Sequence, residues 1–353
     1  MPIIKREKTS MEQEIFEQSS IAQTILDAYI EQDGNINIAI PEGIKRINLI
    51  ASGSSYHCAK YTAGLFGKIP KMEARAIYSS EFLLEQTIAD SDDILYIFIT
   101  QSGETTDTNG ALKKAKEQGV KTLCITNKMN SSIWNSADYK MLCHAGEEKS
   151  IAATKSLTSQ LLCATLLVLR FAQDKGIDII DYVKEVKTIP DIIETAYSLH
   201  PKIKQFARFL SKYKNITMAA DGDSYALAKE ASLKVKETSY INTISYILGE
   251  FMHGHVAVLN NKRSAVVYIV NDNITYSAIK NLNKIKENYN PPICVIGNTT
   301  NQVKTTYNIN IDCSSPMVKT FGILVIIQIL TLEIALKLKR NVDKPHGLNK
   351  VVK

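Results

Sequence analysis

Apolar residues in this chain gather into short runs of strand length, separated by longer segments with helical spacing. Residues 94–99 (ILYIFI) are apolar throughout, and 47–51, 121–127 and 139–143 repeat the type on a smaller scale. A short run without alternation suits a strand covered on both faces, as in a parallel sheet. Between the runs, 56–66 and 109–117 predict helices, 74–78 a short strand and 79–85 a short helix. Ile15, Ile21, Ile25, Leu26 and Tyr29 recur at helical spacing, so 11–32 predicts an arm helix ahead of the first sheet. Residues 149–171 open on small and hydroxyl side chains and continue as a long apolar helix. Strands alternating with helices through short loops predict a doubly wound parallel sheet, with ligands outside the carboxyl ends of the strands.

The pattern then recurs. Residues 174–200 read as a helical connector interrupted at Pro190, and 216–225 repeat 47–56. Both stretches contain Ala-x-Gly-x-Ser-Tyr, and Gly53 and Gly222 stand 169 residues apart. The run 265–270 follows 95–100 at 170, Asn298 follows Asn127 at 171, and Cys313 follows Cys143 at 170. One offset held across half the chain predicts a tandem duplicate. The expected α/β architecture is thus two doubly wound domains at 33–175 and 206–340. An arm (1–32), a connector (176–205) and a tail (341–353) complete it.

Length and composition fit this picture. A chain of 353 residues with 45% apolar and 22% charged residues is globular and long enough for two cores. The net charge of +6 comes from scattered Lys and Arg, which argues against nucleic acid. Six cysteines without CxxC or zinc spacing read as reduced core thiols of a cytoplasmic protein. The charged N-terminus has no apolar segment of signal type. The run 321–336, interrupted by Gln328 and Glu333, reads as a buried helix rather than a membrane span.

Candidate chemistry lies at the strand ends. After 94–99 comes Thr100-Gln101-Ser102-Gly103-Glu104-Thr105, rich in hydroxyls, with one glycine and no Lys or Arg. Free N–H groups at the following helix start would join those hydroxyls in holding a phosphate ester without a metal. An ordinary capped turn has the same composition. Ser54, Ser55 and Asn127 fall at comparable strand ends, and three such ends together favour a binding site. The second copy has Asn271-Asp272-Asn273-Ile274 at the corresponding place, with neither Gly nor Ser. Its distinctive features are elsewhere. Glu230, Lys234 and Glu237 share one helix face, where a carboxylate beside an ammonium can serve as a general base or simply form surface ion pairs. His253 and His255 flank Gly254; they suit proton transfer, and no Asp, Glu or Cys cluster accompanies them at metal-ligand spacing.

Taken together, Gly53-Ser54-Ser55-Tyr56, Gln101-Ser102-Gly103-Glu104-Thr105, Ala153-Thr154-Lys155, Lys234-Val235-Lys236-Glu237, Glu250-Phe251-Met252-His253-Gly254 and the tail Asp343-Lys344-Pro345 through Lys350 resemble the sugar-isomerase (SIS) domain family. The likeness is strongest to the double-SIS isomerase half of the glutamine–fructose-6-phosphate aminotransferases and covers nearly the whole chain. It implies two flavodoxin-like α-β-α sandwiches. It implies a sugar 6-phosphate held by Ser54, Ser55, Thr100, Gln101, Ser102, Gly103, Thr105 and Ala153, and Glu237 as the base moving a proton between C1 and C2. It further implies His253 as a ring-opening residue reaching a partner subunit's site, Lys234 and Glu230 as assisting groups, and Lys350 as a tail lysine closing over the sugar. No cofactor or metal is implied, and the partner is a second copy of the chain. The sequence departs from the family at His255 (usually Pro), Ala153 (usually Ser) and His346 (often Arg). No glutaminase segment with an N-terminal Cys nucleophile is present, so ammonia release from glutamine is not expected. The activity implied is isomerisation and deamination of an amino-sugar 6-phosphate. A fructosamine-6-phosphate deglycase is the near alternative, and a non-catalytic phosphosugar sensor the distant one.

Overall fold

The computed structural model describes residues 7–84 and 91–351. The expectations touching 1–6, the end of the 79–85 helix and 352–353 lie outside the described residues. The first sheet contains β1 (Arg46–Ala51), β2 (Glu73–Tyr78), β3 (Ile94–Thr100), β4 (Lys121–Thr126) and β5 (Tyr139–Leu142), ordered β2-β1-β3-β4-β5. The second contains β6 (Asn215–Ala220), β7 (Asn242–Ile247), β8 (Ser264–Val270), β9 (Ile293–Gly297) and β10 (Tyr307–Asn310), ordered β7-β6-β8-β9-β10. Every pairing in both sheets is parallel, and the two orders are the same permutation. The order reverses between β1 and β3, and between β6 and β8; at such a point the helices leave to opposite faces and a crevice opens at the carboxyl edge.

Before the first sheet stand α1 (Ser10–Phe16) and α2 (Gln18–Tyr29), two helices where the periodicity predicts one. Within that sheet run α3 (Gly53–Lys68), α4 (Ser79–Leu84), α5 (Thr106–Glu117), α6 (Ser132–Ser136) and α7 (Lys155–Asp174). Three helices link the sheets: α8 (Ile180–Val186), α9 (Ile189–Ser198) and α10 (His200–Leu210). Pro190 sits in the first turn of α9, where its missing N–H costs nothing, and so starts a helix rather than breaking one. The second sheet is served by α11 (Ser224–Ser239), α12 (Leu248–Phe251), a 3-10 turn (His255–Asn260), α13 (Tyr276–Tyr289) and α14 (Pro316–Lys337).

One apolar cluster runs from the inner face of the first sheet (Leu49, Ile97) through α7 and α14 to the inner face of the second (Met218, Val267). Separate clusters close the two outer faces, around Phe82, Tyr96 and Phe98 in one half and Phe251, Tyr268 and Leu282 in the other. This placement explains the composition of α14. It is 22 residues long and apolar enough to cross a membrane, longer than the 321–336 run suggested, yet its apolar stretch is wholly buried between the sheets. The halves also meet along α3 and α11, where Lys68 pairs with Asp223 at 2.5 Å. Cys58, Cys124, Cys143, Cys163 and Cys294 are buried free thiols, and Cys313 is partly exposed.

Candidate active site

The crevice between β1 and β3 holds the two hydroxyl-rich turns. Gly53, with φ +55°, swings the chain from β1 directly into α3. The helix starts three residues before the sequence pattern indicated, so Ser54 and Ser55 occupy its first turn instead of a loop. Ser52 caps this helix in extended conformation without a side-chain bond, which leaves the first-turn N–H groups facing the crevice. The β3–α5 turn is tied from below: Gly103 C=O accepts from Asn109 Nδ2 (3.0 Å) and from the Ile133 N–H (3.2 Å). Ser102 Oγ accepts from the Glu104 N–H at 3.1 Å, and the Thr100 and Thr105 hydroxyls lie 3.3 Å apart. Gly103 is itself required. Its φ is +68°, and a Cβ there would stand 2.1 Å from Ser131 Oγ. Gly103→Ala should therefore lower unfolding stability by more than about 1 kcal/mol in a denaturant titration.

The equivalent crevice of the second half is plugged by its own side chains. Ser224 Oγ donates to Asn271 Oδ1 (2.7 Å), and Asn271 Nδ2 donates to Thr320 Oγ1 (2.8 Å). The second half contributes α11 to the first crevice instead. Lys234 lies between two carboxylates, 2.6 Å from Glu237 Oε2 and 3.7 Å from Glu230 Oε1. Glu230 and Lys234 are each 1% exposed. Burial pushes the Glu230 carboxyl up, but Lys234, His57 and Ser54 together outweigh it and hold the group below its ordinary value. Lys234 is moved the other way: burial lowers it, and the two glutamates more than restore it, so it stays charged.

The third wall is the segment before α7 together with the C-terminal tail. Residues 149–154, expected as helix, form an irregular, bent segment, because Glu148 folds under them and accepts the Thr154 N–H (2.8 Å), the Ser156 N–H (3.1 Å) and Ser156 Oγ (2.6 Å). Lys350 reaches the same carboxylate at 2.5 Å and the Ser150 carbonyl at 2.7 Å. Asp343 accepts the Ser10 and Met11 N–H groups, both at 2.9 Å, and so fixes the tail to the start of α1. Burial would raise the Glu148 carboxyl, but Lys350 and the donors of Ser156 and Thr154 keep it below the ordinary 4.5. Glu148 and Glu230 are thus both depressed on folding. Their stabilisation is complete above the unfolded value and is lost as pH falls through the lower folded values. Unfolding free energy should hold from about pH 7 to about 5 and then fall, and Glu148→Gln should shallow that acid slope.

These walls enclose one cavity of about 710 Å³. Ser54, Ser55, Thr100, Gln101, Ser102 and Thr105 line one side; Lys234 and Glu237 line it from the second half, and Ala153 and Lys350 from the third wall. Gly103 lies buried beneath the loop, and Glu230 stands behind Ser54 and Lys234, outside the lining. His253 is exposed after α12 and His255 packs on Tyr246 (ring centroids 4.5 Å apart); neither borders this cavity. Asn127 is spent on structure, joining Ala145 and Gly146 through both ends of its amide. Sequence reasoning missed Ile151 in the lining, together with Glu148 and His57 behind it. Glu148 belongs to a Glu-Glu-Lys run that reads as solvated surface, and only its many donors reveal otherwise. Among the described residues no group of three or more His, Cys, Asp or Glu is arranged to hold a metal ion.

Comparison with known proteins places this geometry among relatives. The isomerizing glutamine–fructose-6-phosphate aminotransferase of Campylobacter jejuni is 33% identical over 357 residues, and that of Rattus norvegicus is 31% identical over 365. Each alignment covers 97% of this chain but only 58% and 52% of the relative, so the chain spans little more than half the length of these proteins. The C-terminal domain of glucosamine-fructose-6-phosphate aminotransferase from Francisella tularensis superimposes with a TM-score of 0.89 at 26% identity, covering 97% of this chain and 99% of that one. A glucosamine-6-phosphate deaminase from Thermotoga maritima shares the fold at a TM-score of 0.77 and 20% identity, over 98% and 99% of the two chains. The SIS domain model matches twice, over residues 43–170 and 209–334, one match on each sheet, and the chain belongs to the SIS domain family.

Proposed function

We propose that this chain is a phosphosugar isomerase and deaminase acting on an amino-sugar 6-phosphate of the glucosamine 6-phosphate type. The observation that supports it is a single cavity with neutral hydroxyl and amide donors on one wall and a lysine-paired carboxylate on the opposite wall. Its volume suits a hexose phosphate. The phosphate sits between the first turns of α3 and α5, where free N–H groups and the hydroxyls of Ser54, Ser55, Ser102 and Thr105 converge. The open-chain sugar then extends toward Glu237. Glu237 removes the proton at C2, which the C1 aldehyde acidifies, and returns it to C1, while the C1 oxygen takes up a proton equal to the one that the substrate's ammonium gives up. The product is a C1 alcohol with an iminium at C2, and water converts the iminium to the ketone and ammonia. Lys234 orients Glu237 through their 2.6 Å contact, and Lys350 covers the sugar from the tail.

The test is to offer glucosamine 6-phosphate, galactosamine 6-phosphate and fructosamine 6-phosphates, and to assay ammonia, amino acid and hexose phosphate. Ammonia with fructose 6-phosphate from the glucosamine ester is the expected result. Glucose 6-phosphate with free amine from a fructosamine ester would identify a deglycase instead, and tight binding without any product a sensor.

The exposed position of His253 extends the proposal to a homodimer in which this residue opens the sugar ring in the partner's site. Mixing Glu237→Gln and His253→Asn protomers tests it, because each heterodimer rebuilds one complete site. Activity should recover to about a quarter of wild type after random reassortment. No recovery would place His253 in its own protomer's chemistry, and an active His253→Asn homodimer would place it outside the reaction.

A further inference from the structure

His57 is a buried titratable residue that the proposed chemistry leaves unused. It lies on α3, one turn after Ser54, and is 9% exposed. Its Nδ1 stands 2.7 Å from Glu230 Oε2, across the junction between the two halves. A carboxylate only accepts, and Glu230 is held ionised, so Nδ1 carries the hydrogen and donates. The two oxygens of Glu230 therefore have separate partners: Oε2 takes His57, while Oε1 takes Ser54 Oγ at 3.1 Å and faces Lys234 at 3.7 Å. Lys234 is 1% exposed, and it forms ion pairs with Glu230 and Glu237. The position of its ammonium is thus set by how much negative charge Glu230 turns toward it.

We propose that His57 is a positioning residue, which by holding Glu230 Oε2 leaves Lys234 bound to Glu237 and so fixes the orientation of the base. The inference rests on the reading of Glu237 given above. Without the His57 donor, Oε2 of Glu230 has no partner in the apolar surroundings of Leu157, Leu161 and Leu324. A buried carboxylate oxygen stripped of its donor costs free energy. Glu230 then rotates toward Lys234, the ammonium follows it, and Glu237 loses the contact that aims it. Of the phosphate wall only Ser54 touches this linkage, and Ser55, Gln101, Ser102 and Thr105 stand apart from it, so the damage falls chiefly on turnover rather than on substrate capture.

The experiment compares His57→Leu and His57→Asn with wild type and Glu237→Gln, using glucosamine 6-phosphate. Asn places an amide nitrogen near the position of imidazole Nδ1 and can still donate to Glu230. His57→Leu should lower kcat by up to about 10²-fold, the scale of a base displaced by a fraction of an ångström to 1 Å. KM should stay within about threefold. His57→Asn should recover most of kcat. A crystal structure of His57→Leu should show the Lys234–Glu237 pair opened beyond hydrogen-bond distance. Unchanged kcat in His57→Leu while Glu237→Gln is inactive overturns the role of His57 alone. Equal loss in the Leu and Asn variants, following a common loss of thermal stability, overturns it in favour of a packing role. Full activity in Glu237→Gln overturns the underlying reading of the base. A Lys234–Glu237 pair still closed in the His57→Leu crystal overturns the proposal independently of any assay.

Discussion

Glu237→Gln should reduce turnover by about 10²–10⁴-fold, the range that one general base contributes. Glutamine keeps the size and one hydrogen-bonding oxygen of the side chain, so Lys234 retains a partner, but it has no free carboxylate to accept the C2 proton. Binding of the phosphosugar should change by no more than a few-fold, because the donors proposed for the phosphate lie at the starts of α3 and α5 in the other half. Calorimetric titration with fructose 6-phosphate beside a coupled ammonia assay separates the two quantities. A variant that retains activity moves the base elsewhere, and one that loses binding as well shows Glu237 to be part of the anchor.

Glu230→Ala should be the most destabilising single change near the site, by about 3–5 kcal/mol. Glu230 satisfies three donors at once: Ser54 Oγ, His57 Nδ1 and, more distantly, Lys234. Removing the carboxylate leaves the imidazole donor unpaired at the junction of the halves, and leaves the buried Lys234 with Glu237 alone. Urea unfolding of wild type, Glu230→Ala and the volume-matched Glu230→Gln measures the loss. Glutamine keeps an acceptor and should recover part of it. Equal stability of all three would mean that water or a rearranged Lys234 replaces the network at no cost.

The parts of the site visible in the sequence are those built from neighbours in the chain. The β3–α5 turn can be read because strand, glycine, hydroxyls and helix start are consecutive. Glu230, Lys234 and Glu237 can be placed on one face because helical spacing depends on nothing distant. The features that were not visible involve partners far along the chain. Asp343 caps α1 across 333 positions and Lys350 meets Glu148 across 202, and neither segment shows the other's presence in its own composition. Likewise, the 149–154 stretch looks ready for helix, and the long helix begins only at Lys155, because Glu148 takes the N–H groups that a helix start leaves free.

The sequence by itself determined the two parallel sheets and their duplication, since unbroken apolar runs and a constant offset are properties of pattern alone. It also determined that only the first copy has a hydroxyl-rich turn. The tertiary structure decided that the second crevice is plugged by Ser224, Asn271 and Thr320, that α11 crosses to serve the first, and that His57 and Glu230 join the halves in one buried network. The physical reason is that pattern specifies which surface each element must bury, whereas the pairing of buried charges across elements is fixed only when those surfaces come together and exclude water.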